Sequence, residues 1–383
     1  MATPKLGFLD GKNQQIDDLL RLVCEELQIS PTAHEQAVAR YTAVCDWLEA
    51  DGSVVAVFNP TIYPQGSMKI GTTVRPFRWD EYDLDFVCEF RLAVNSIQSP
   101  SHLLGLLESR LRGHKVYASI LEVKNRCVRL NYAKEFHMDI LPACPDASAG
   151  GSCLFVPDRK SETWKHSNPK GYADWFESRC GLGLQLLMES RRLLAKAEPI
   201  PAQEAAEEKA ILKRVVQLLK RWRDIHYQRN PKLAPISMVL TTMAAHAYSG
   251  QHTVSEAMTT VLENFVLLIA RSKPRIYVLN PANPKEDLSE RWEDPVLYRA
   301  FVDGISDLHK RWTGALAATG VQNVSNRLEQ VFGEPVTAAL RKQAKALQES
   351  REKSSLRVAR AGLLTSAPAV GIPVRPHTFH GKR

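Results

Sequence analysis

The chain has 383 residues, 44% of them hydrophobic and 24% charged, with a net charge of +8. These proportions exclude collagen-like, disulfide-scaffold and disordered classes, and at roughly 100–200 residues per domain the length allows two domains or one large one. The longest apolar run, Phe265–Ala270, is six residues, far short of the ~20 that a membrane span needs, and the N-terminus lacks the apolar core of a secretion signal, so a cytoplasmic protein is expected.

Residues 14–29 carry apolar side chains at helical spacing, and Ser30-Pro31 is a cap and first-turn pair for a second helix running to about Ala50. Past Asp51-Gly52-Ser53 the pattern changes to short β-rich runs at 62–64, 84–90, 116–123, 127–132 and 136–141, with a helix at 102–112 between them. Residues 142–176 are rich in Gly, Ser, Pro and aromatics and read as a long functional loop in which Tyr172 and Trp175 either offer stacking surfaces or pack, with the other aromatics, as the loop's own small core. Helical patterns follow at 182–197, 204–226, 235–249, 253–271, 290–314 and 321–350. From Arg351 onward seven basic residues stand against one acid, so six of the eight net positive charges lie in what reads as a mobile tail, and the body is nearly neutral. Seven scattered cysteines with no C-x-x-C pair read as reduced thiols.

The chemistry concentrates in residues 62–90, IYPQGSMKIGTTVRPFRWDEYDLDFVCEF. Strand alternation puts Asp83 and Asp85 on one face and Leu84, Phe86, Cys88 and Phe90 on the other, which is then the core face. Two adjacent carboxylates raise each other's pKa unless a positive charge lies between them, and a divalent cation with hard oxygen ligands answers that need. Asp139, in FHMDILPA, also faces away from an apolar strand surface, and three acids on adjoining strands can hold two metals ~3.5–4 Å apart. Upstream, Gly66 permits close backbone approach and Ser67 offers a hydroxyl and helix N–H groups to a phosphate. On its helix, Lys220 projects opposite the apolar stripe of Ile211, Val215, Leu218, Leu219, Trp222 and Ile225 and reads, on periodicity alone, as solvated.

This order of a Gly-Ser turn, a D-x-D strand and one further Asp resembles the polymerase-β-type nucleotidyltransferase superfamily. More narrowly, YPQGSMKIGTTVRP, DEYDLDFVCEF, FHMDILPA, SNPKGYADWF and the helical half resemble the bacterial cGAS/DncV-like nucleotidyltransferases over residues 35–315. The resemblance implies an α+β, bilobal enzyme. A polymerase-β-like mixed sheet with flanking helices occupies 1–180, an oligoadenylate-synthetase-like helical domain closes the nucleotide cleft over 181–350, and the basic tail is 351–383.

It also implies template-independent joining of nucleoside triphosphates, ATP and/or GTP, into a cyclic di- or trinucleotide or short oligonucleotide with release of pyrophosphate. The product would reach a downstream effector in anti-phage defence. Gln65, Gly66 and Ser67 match the phosphate-contacting turn. Asp83, Asp85 and Asp139 match the catalytic metal triad for two Mg2+ or Mn2+ ions, Asp139 helping to deprotonate the attacking ribose hydroxyl. Lys220 and Ser237 match the helices that grip the donor triphosphate, and Asp287 a loop beside the donor. No His/Cys cluster like the zinc insertion of nucleic-acid-sensing relatives is present, which argues against direct DNA sensing, while the tail suggests a protein partner. Two alternatives stay open: an enzyme modifying RNA ends or a small molecule, and a catalytically silent nucleic-acid or partner-binding protein.

Overall fold

A computed structural model describes residues 11–50, 52–53, 55–77, 82–133, 135–181, 198–204, 208–353 and 355, and the pairs 357–358, 364–365 and 372–373. The helix expected at 182–197 lies outside these. A mixed sheet forms the first layer, with β1 (Thr61–Pro64), β2 (Tyr82–Glu89), β5 (Phe136–Pro145), β4 (Val128–Tyr132) and β3 (Leu121–Val123) side by side in that order. β2 and β5 run parallel and their neighbours antiparallel. The expected alternation holds, since Leu84, Phe86, Met138 and Ile140 are buried and pack against α2 (Pro31–Glu49) and α4 (Pro100–Arg112). Ser30 caps α2 by accepting from the Ala33 N–H, as the Ser-Pro pair suggests.

Two stretches differ from the sequence expectation. Lys115–Ile120 forms a short helix, α5, capped by His114, and only the last three residues of the expected strand pair as β3. Its β-branched residues suggested a strand, but the segment satisfies its backbone locally, with Ala118 N–H on the His114 carbonyl. The expected loop of 142–176 is instead structured. β5 continues to Pro145, β6 (Leu154–Asp158) and β7 (Thr163–Ser167) make a hairpin, and α6 (Pro169–Arg179) starts at Asn168, whose side chain accepts from Gly171 N–H. Its aromatics are packed: Tyr172 is buried and shares a 2.9 Å hydrogen bond with Thr242, and Trp175 packs between Tyr172 and His246.

The second layer is helical. It comprises α7 (Ile211–His226), α8 (Ser237–Ala247), α9 (Val254–Arg271), α10 (Pro295–Ala317), α11 (Val321–Phe332) and α12 (Glu334–Glu352). The last two were expected as one helix; Gly333, at φ 73°, ends one and begins the other. NPANP lies in a hairpin of β8 (Leu279–Asn280) and β9 (Asn283–Asp287). The N-terminal helix α1 (Gly11–Glu26), expected with the sheet, packs in this helical core against α12. In the tail, three two-residue strands pair where a mobile segment was expected.

The layers meet along the polar stripe of α7. Lys209, just before the helix, donates to the Gly71 carbonyl, Gln217 to Thr73, Lys220 to Thr72 and Arg221 to Arg75. One helical face therefore satisfies successive carbonyls of the segment that follows the Gly-Ser turn, which keeps that buried backbone hydrogen-bonded.

Candidate active site

Register places Asp85 opposite Asp139 on β5, and Asp139 opposite Arg129 on β4, so the three share a row across neighbouring strands. Arg129 grips both oxygens of Asp139, at 2.6 and 2.7 Å, and reaches Asp83 at 3.2 Å. The positive charge between the acids is thus a guanidinium, which these bonds hold well above its ordinary pKa. Sequence reading missed Arg129, although V-R-L-N-Y alternates so as to bury Val128, Leu130 and Tyr132 and turn Arg129 to the acidic face.

Burial, reinforced by Asp83 and Asp139 and opposed by Lys220 and Arg129, pushes the Asp85 carboxyl up to about 7. Asp83 is more open, its side chain 56% exposed. Partial desolvation still raises its carboxyl, with Arg129 opposing and Asp139 adding. The turn sits directly against this row. Gln65 N–H donates to the Asp85 carbonyl at 2.8 Å, and Gly66 takes φ +59°, with a Cβ there falling 2.6 Å from Asp85 Oδ2.

A cleft of about 380 Å³ brings together Gly66, Ser67, Asp83, Asp85, Lys220 and Ser237. Ser67 Oγ lies 3.3 Å from Thr73 Oγ1, and Ser237 begins α8. Lys220 is not solvated as periodicity alone suggested. It is 7% exposed, with Nζ 3.0 Å from the Thr72 carbonyl and 3.2 Å from its hydroxyl. Burial and the neighbouring Arg223 push it down to about 7. Arg223 and Asp224, one turn on, also line the cleft and were not anticipated. The KRWRD spacing carried that signal, since i and i+3 share a helix face.

Asp139 stands beside Asp85 on the next strand but not on the cleft wall, and two further expected residues lie apart from the cleft. Gln65 lines a neighbouring cavity. The Asp287 carboxylate is taken by Arg275 at 3.0 Å and by the Ser289 hydroxyl and N–H at 2.6 and 2.8 Å, outside the cleft wall. These bonds pull its carboxyl down despite burial. Its strand neighbour Glu286 faces the second cavity instead.

Among the described residues no three His, Cys, Asp or Glu stand in ready-made metal geometry. The donor set nevertheless fits a divalent cation. It offers hard carboxylate oxygens on adjoining strands, and the depth of Asp85 among other acids leaves its carboxyl under-compensated by Lys220 and Arg129.

A family model described as Second Messenger Oligonucleotide or Dinucleotide Synthetase domain matches residues 15–179. The c-di-GMP synthase of Roseivirga ehrenbergii is 33% identical over 372 residues, spanning 96% of this chain and 97% of that protein. The cyclic dinucleotide synthase CdnG of Bradyrhizobium diazoefficiens is 29% identical over 406 residues, spanning 96% of this chain and 95% of its own. A structure of the Bradyrhizobium diazoefficiens CD-NTase CdnG in complex with GTP is similar at a TM-score of 0.69 and 26% identity, covering 86% of this chain and 99% of that one. That of E. coli MS115-1 CdnC with ATP shares the fold at a TM-score of 0.63 and 15% identity, covering 86% and 99%.

Proposed function

The chain belongs to the bacterial cGAS/DncV-like nucleotidyltransferases, synthases of cyclic nucleotides, and we propose that it uses GTP to make a guanosine-containing cyclic dinucleotide. The observation that carries the catalytic reading is Asp85, in register with Asp139 and through it with Arg129, lying against the Gly66-Ser67 turn in one cleft with Asp83, Lys220 and Ser237. The guanosine reading draws on the relative named c-di-GMP synthase.

Asp83, Asp85 and Asp139 would hold two Mg2+ or Mn2+ ions, which when bound supply charge neutralisation at the reacting phosphate and a more acidic attacking hydroxyl. Ser67 and the adjoining N–H groups hold the triphosphate from the sheet side, Lys220 and Ser237 from the helical side. The ribose hydroxyl oxygen bonds to the α-phosphorus, and the bond from that phosphorus to the bridging oxygen breaks. Pyrophosphate leaves with the electron pair. Asp139, oriented by Arg129 through both of its oxygens, would help take the proton of the attacking hydroxyl. Two such transfers close the ring. In this reading the sheet with α2, α3 (Gly66–Lys69), α4 and α5 is the catalytic lobe and the helices from Ile211, with α1, the closing lobe. The product serves as a cytoplasmic messenger to an effector in anti-phage defence, the basic residues from Arg351 engage a protein partner, and DNA is not sensed directly.

The test is to incubate the purified protein with all four NTPs and Mg2+ or Mn2+, then identify products by mass spectrometry with linkage-specific nucleases. A cyclic product containing guanosine is expected. Products lacking guanosine, or nucleotides transferred only to RNA ends, would overturn the reading.

Lys220 gives a second check. Lys220→Gln keeps a donor for the Thr72 carbonyl but removes the charge, so KM for the donor NTP should rise about tenfold with little change in melting temperature, a charge-assisted phosphate bond being worth about 1.5–3 kcal/mol. A lower melting temperature with unchanged KM would make Lys220 a purely structural tie.

A further inference from the structure

Beside the cleft lies a second cavity of about 200 Å³ that shares Gly66, Ile70 and Met238 with it. These three residues are the wall common to both, and Gly66 is the one that touches Asp85. The second cavity's polar wall is made by Gln65, Lys69, Arg126, Ser167, Asn280 and Glu286, and Lys69 Nζ is held by Glu198 at 3.3 Å.

The groups of Arg126, Ser167, Asn280 and Glu286 are fixed before any ligand arrives. Asn280 Nδ2 donates to Glu286 Oε2 at 2.7 Å, and the Ser167 hydroxyl donates to Oε1 at 3.5 Å. The Asn168 N–H also bonds to this carboxylate; with about four acceptor positions, and a 3.5 Å Ser167 bond long enough to give way, it keeps room for two incoming donors. Arg126, on the turn between β3 and β4, donates from Nε to Asp158 at 2.9 Å and from Nη2 to Glu290 at 2.8 Å. A guanidinium has five N–H groups, so those anchors set its plane without exhausting its donors. Lys165 holds the far oxygen of Glu290 at 3.1 Å and steadies the arrangement. The cavity thus presents a donor next to a pair of acceptors on rigid supports.

Guanine carries the complement of that pattern: the O6 acceptor, then the N1–H and 2-amino donors. Adenine offers an amino donor where Arg126 also donates, and an N1 lone pair where Glu286 also has lone pairs. A site of buried, pre-positioned polar groups discriminates strongly, because the wrong base leaves them unpaired. We propose that this cavity reads a guanine base, Glu286 accepting from N1–H and the 2-amino group and Arg126 donating to O6. The assignment rests on the guanosine reading above and adds the residues that select the base.

The test compares GTP with ITP, which keeps O6 and N1–H but lacks the 2-amino group, and with ATP. Binding of the non-reacting α,β-methylene analogues is measured by calorimetry, and kcat/KM by pyrophosphate release. Wild type should bind the GTP analogue about tenfold more tightly than the ITP analogue and at least about a hundredfold more tightly than the ATP analogue. In Glu286→Gln the GTP:ITP ratio should fall toward one, because the amide cannot accept both donors, while the melting temperature stays near that of wild type. Equal affinities for the three analogues in wild type, or a Glu286→Gln variant that weakens all three alike, would overturn the proposal. Binding is read without turnover. A wild type that selects the GTP analogue but makes no cyclic product would therefore refute the catalytic reading and leave the base-reading site intact.

Discussion

Asp85→Asn should lower pyrophosphate release by at least about a thousandfold and, in the metal-free protein at pH 8, raise the melting temperature by a few degrees. The two effects share one cause. Asp85 lies deep beside Asp83 and Asp139, which together with burial push its carboxyl from an ordinary 3.8 up to about 7, against the opposing pull of Lys220 and Arg129. A carboxyl whose folded-state pKa exceeds its unfolded value binds protons more tightly when folded. As pH rises from about 4 to about 7 the wild type therefore loses stability, and above 7 the loss is complete. Asparagine has the same shape and no proton to lose, so its advantage should be absent near pH 4 and full by pH 8. Lys220 is pushed down to about 7, so the folded state disfavours its charge and gains stability as pH rises through that value, which blunts the profile. Arg129 is untouched by the substitution and still neutralises Asp139. An inactive variant whose melting temperature matches wild type at every pH from 4 to 8 would mean that Asp85 is not electrostatically strained. An active one would remove it from the machinery.

The acid row was readable in the sequence because period-2 alternation is a local property: Leu84, Phe86 and Cys88 had to face the core, which sent Asp83 and Asp85 the other way. The Gly66-Ser67 turn was readable for a similar reason, lying between a strand and a helix start. Arg129 needed information of another kind, namely that β4 pairs with β5 in a register that sets it opposite Asp139. Lys220 shows the limit of helical periodicity. The wheel places it opposite the apolar stripe but does not reveal that the polar stripe is itself buried against the carbonyls of Gly71–Arg75. In 142–176 the Gly, Ser and Pro content concealed the β6–β7 hairpin, whose buried residues come from only one of its strands. Asp287 was one residue away from an instructive position. Adjacent residues of a strand face opposite sides, so Asp287 meets Arg275 while Glu286 meets the cavity.

Gly66→Ala should cost at least about a hundredfold in turnover while the protein remains folded, since displacements near 1 Å at a reacting centre are worth about that much. Gly66 is the wall shared by both cavities and the point where the turn touches the acid row. Its φ of +59° is left-handed, and an alanine Cβ would fall 2.6 Å from Asp85 Oδ2 and 3.4 Å from both Cβ and Cγ of that residue. Asp85 is too short a side chain to swing only its tip aside. Its backbone cannot retreat cheaply either, because its carbonyl accepts from Gln65 N–H at 2.8 Å and β2 is paired on both sides. The carboxylate must therefore turn away from Asp139 or the turn must lift off the strand, and in both cases the phosphate-holding and acid-bearing groups separate. The left-handed residue itself adds a stability cost of roughly 1–2 kcal/mol, small against the functional loss. Ser67→Ala removes only a hydroxyl and leaves this contact intact, so it should fall well short of the glycine variant. Near wild-type turnover in Gly66→Ala, at preserved helicity, would mean that the contact between the turn and Asp85 does not position the chemistry.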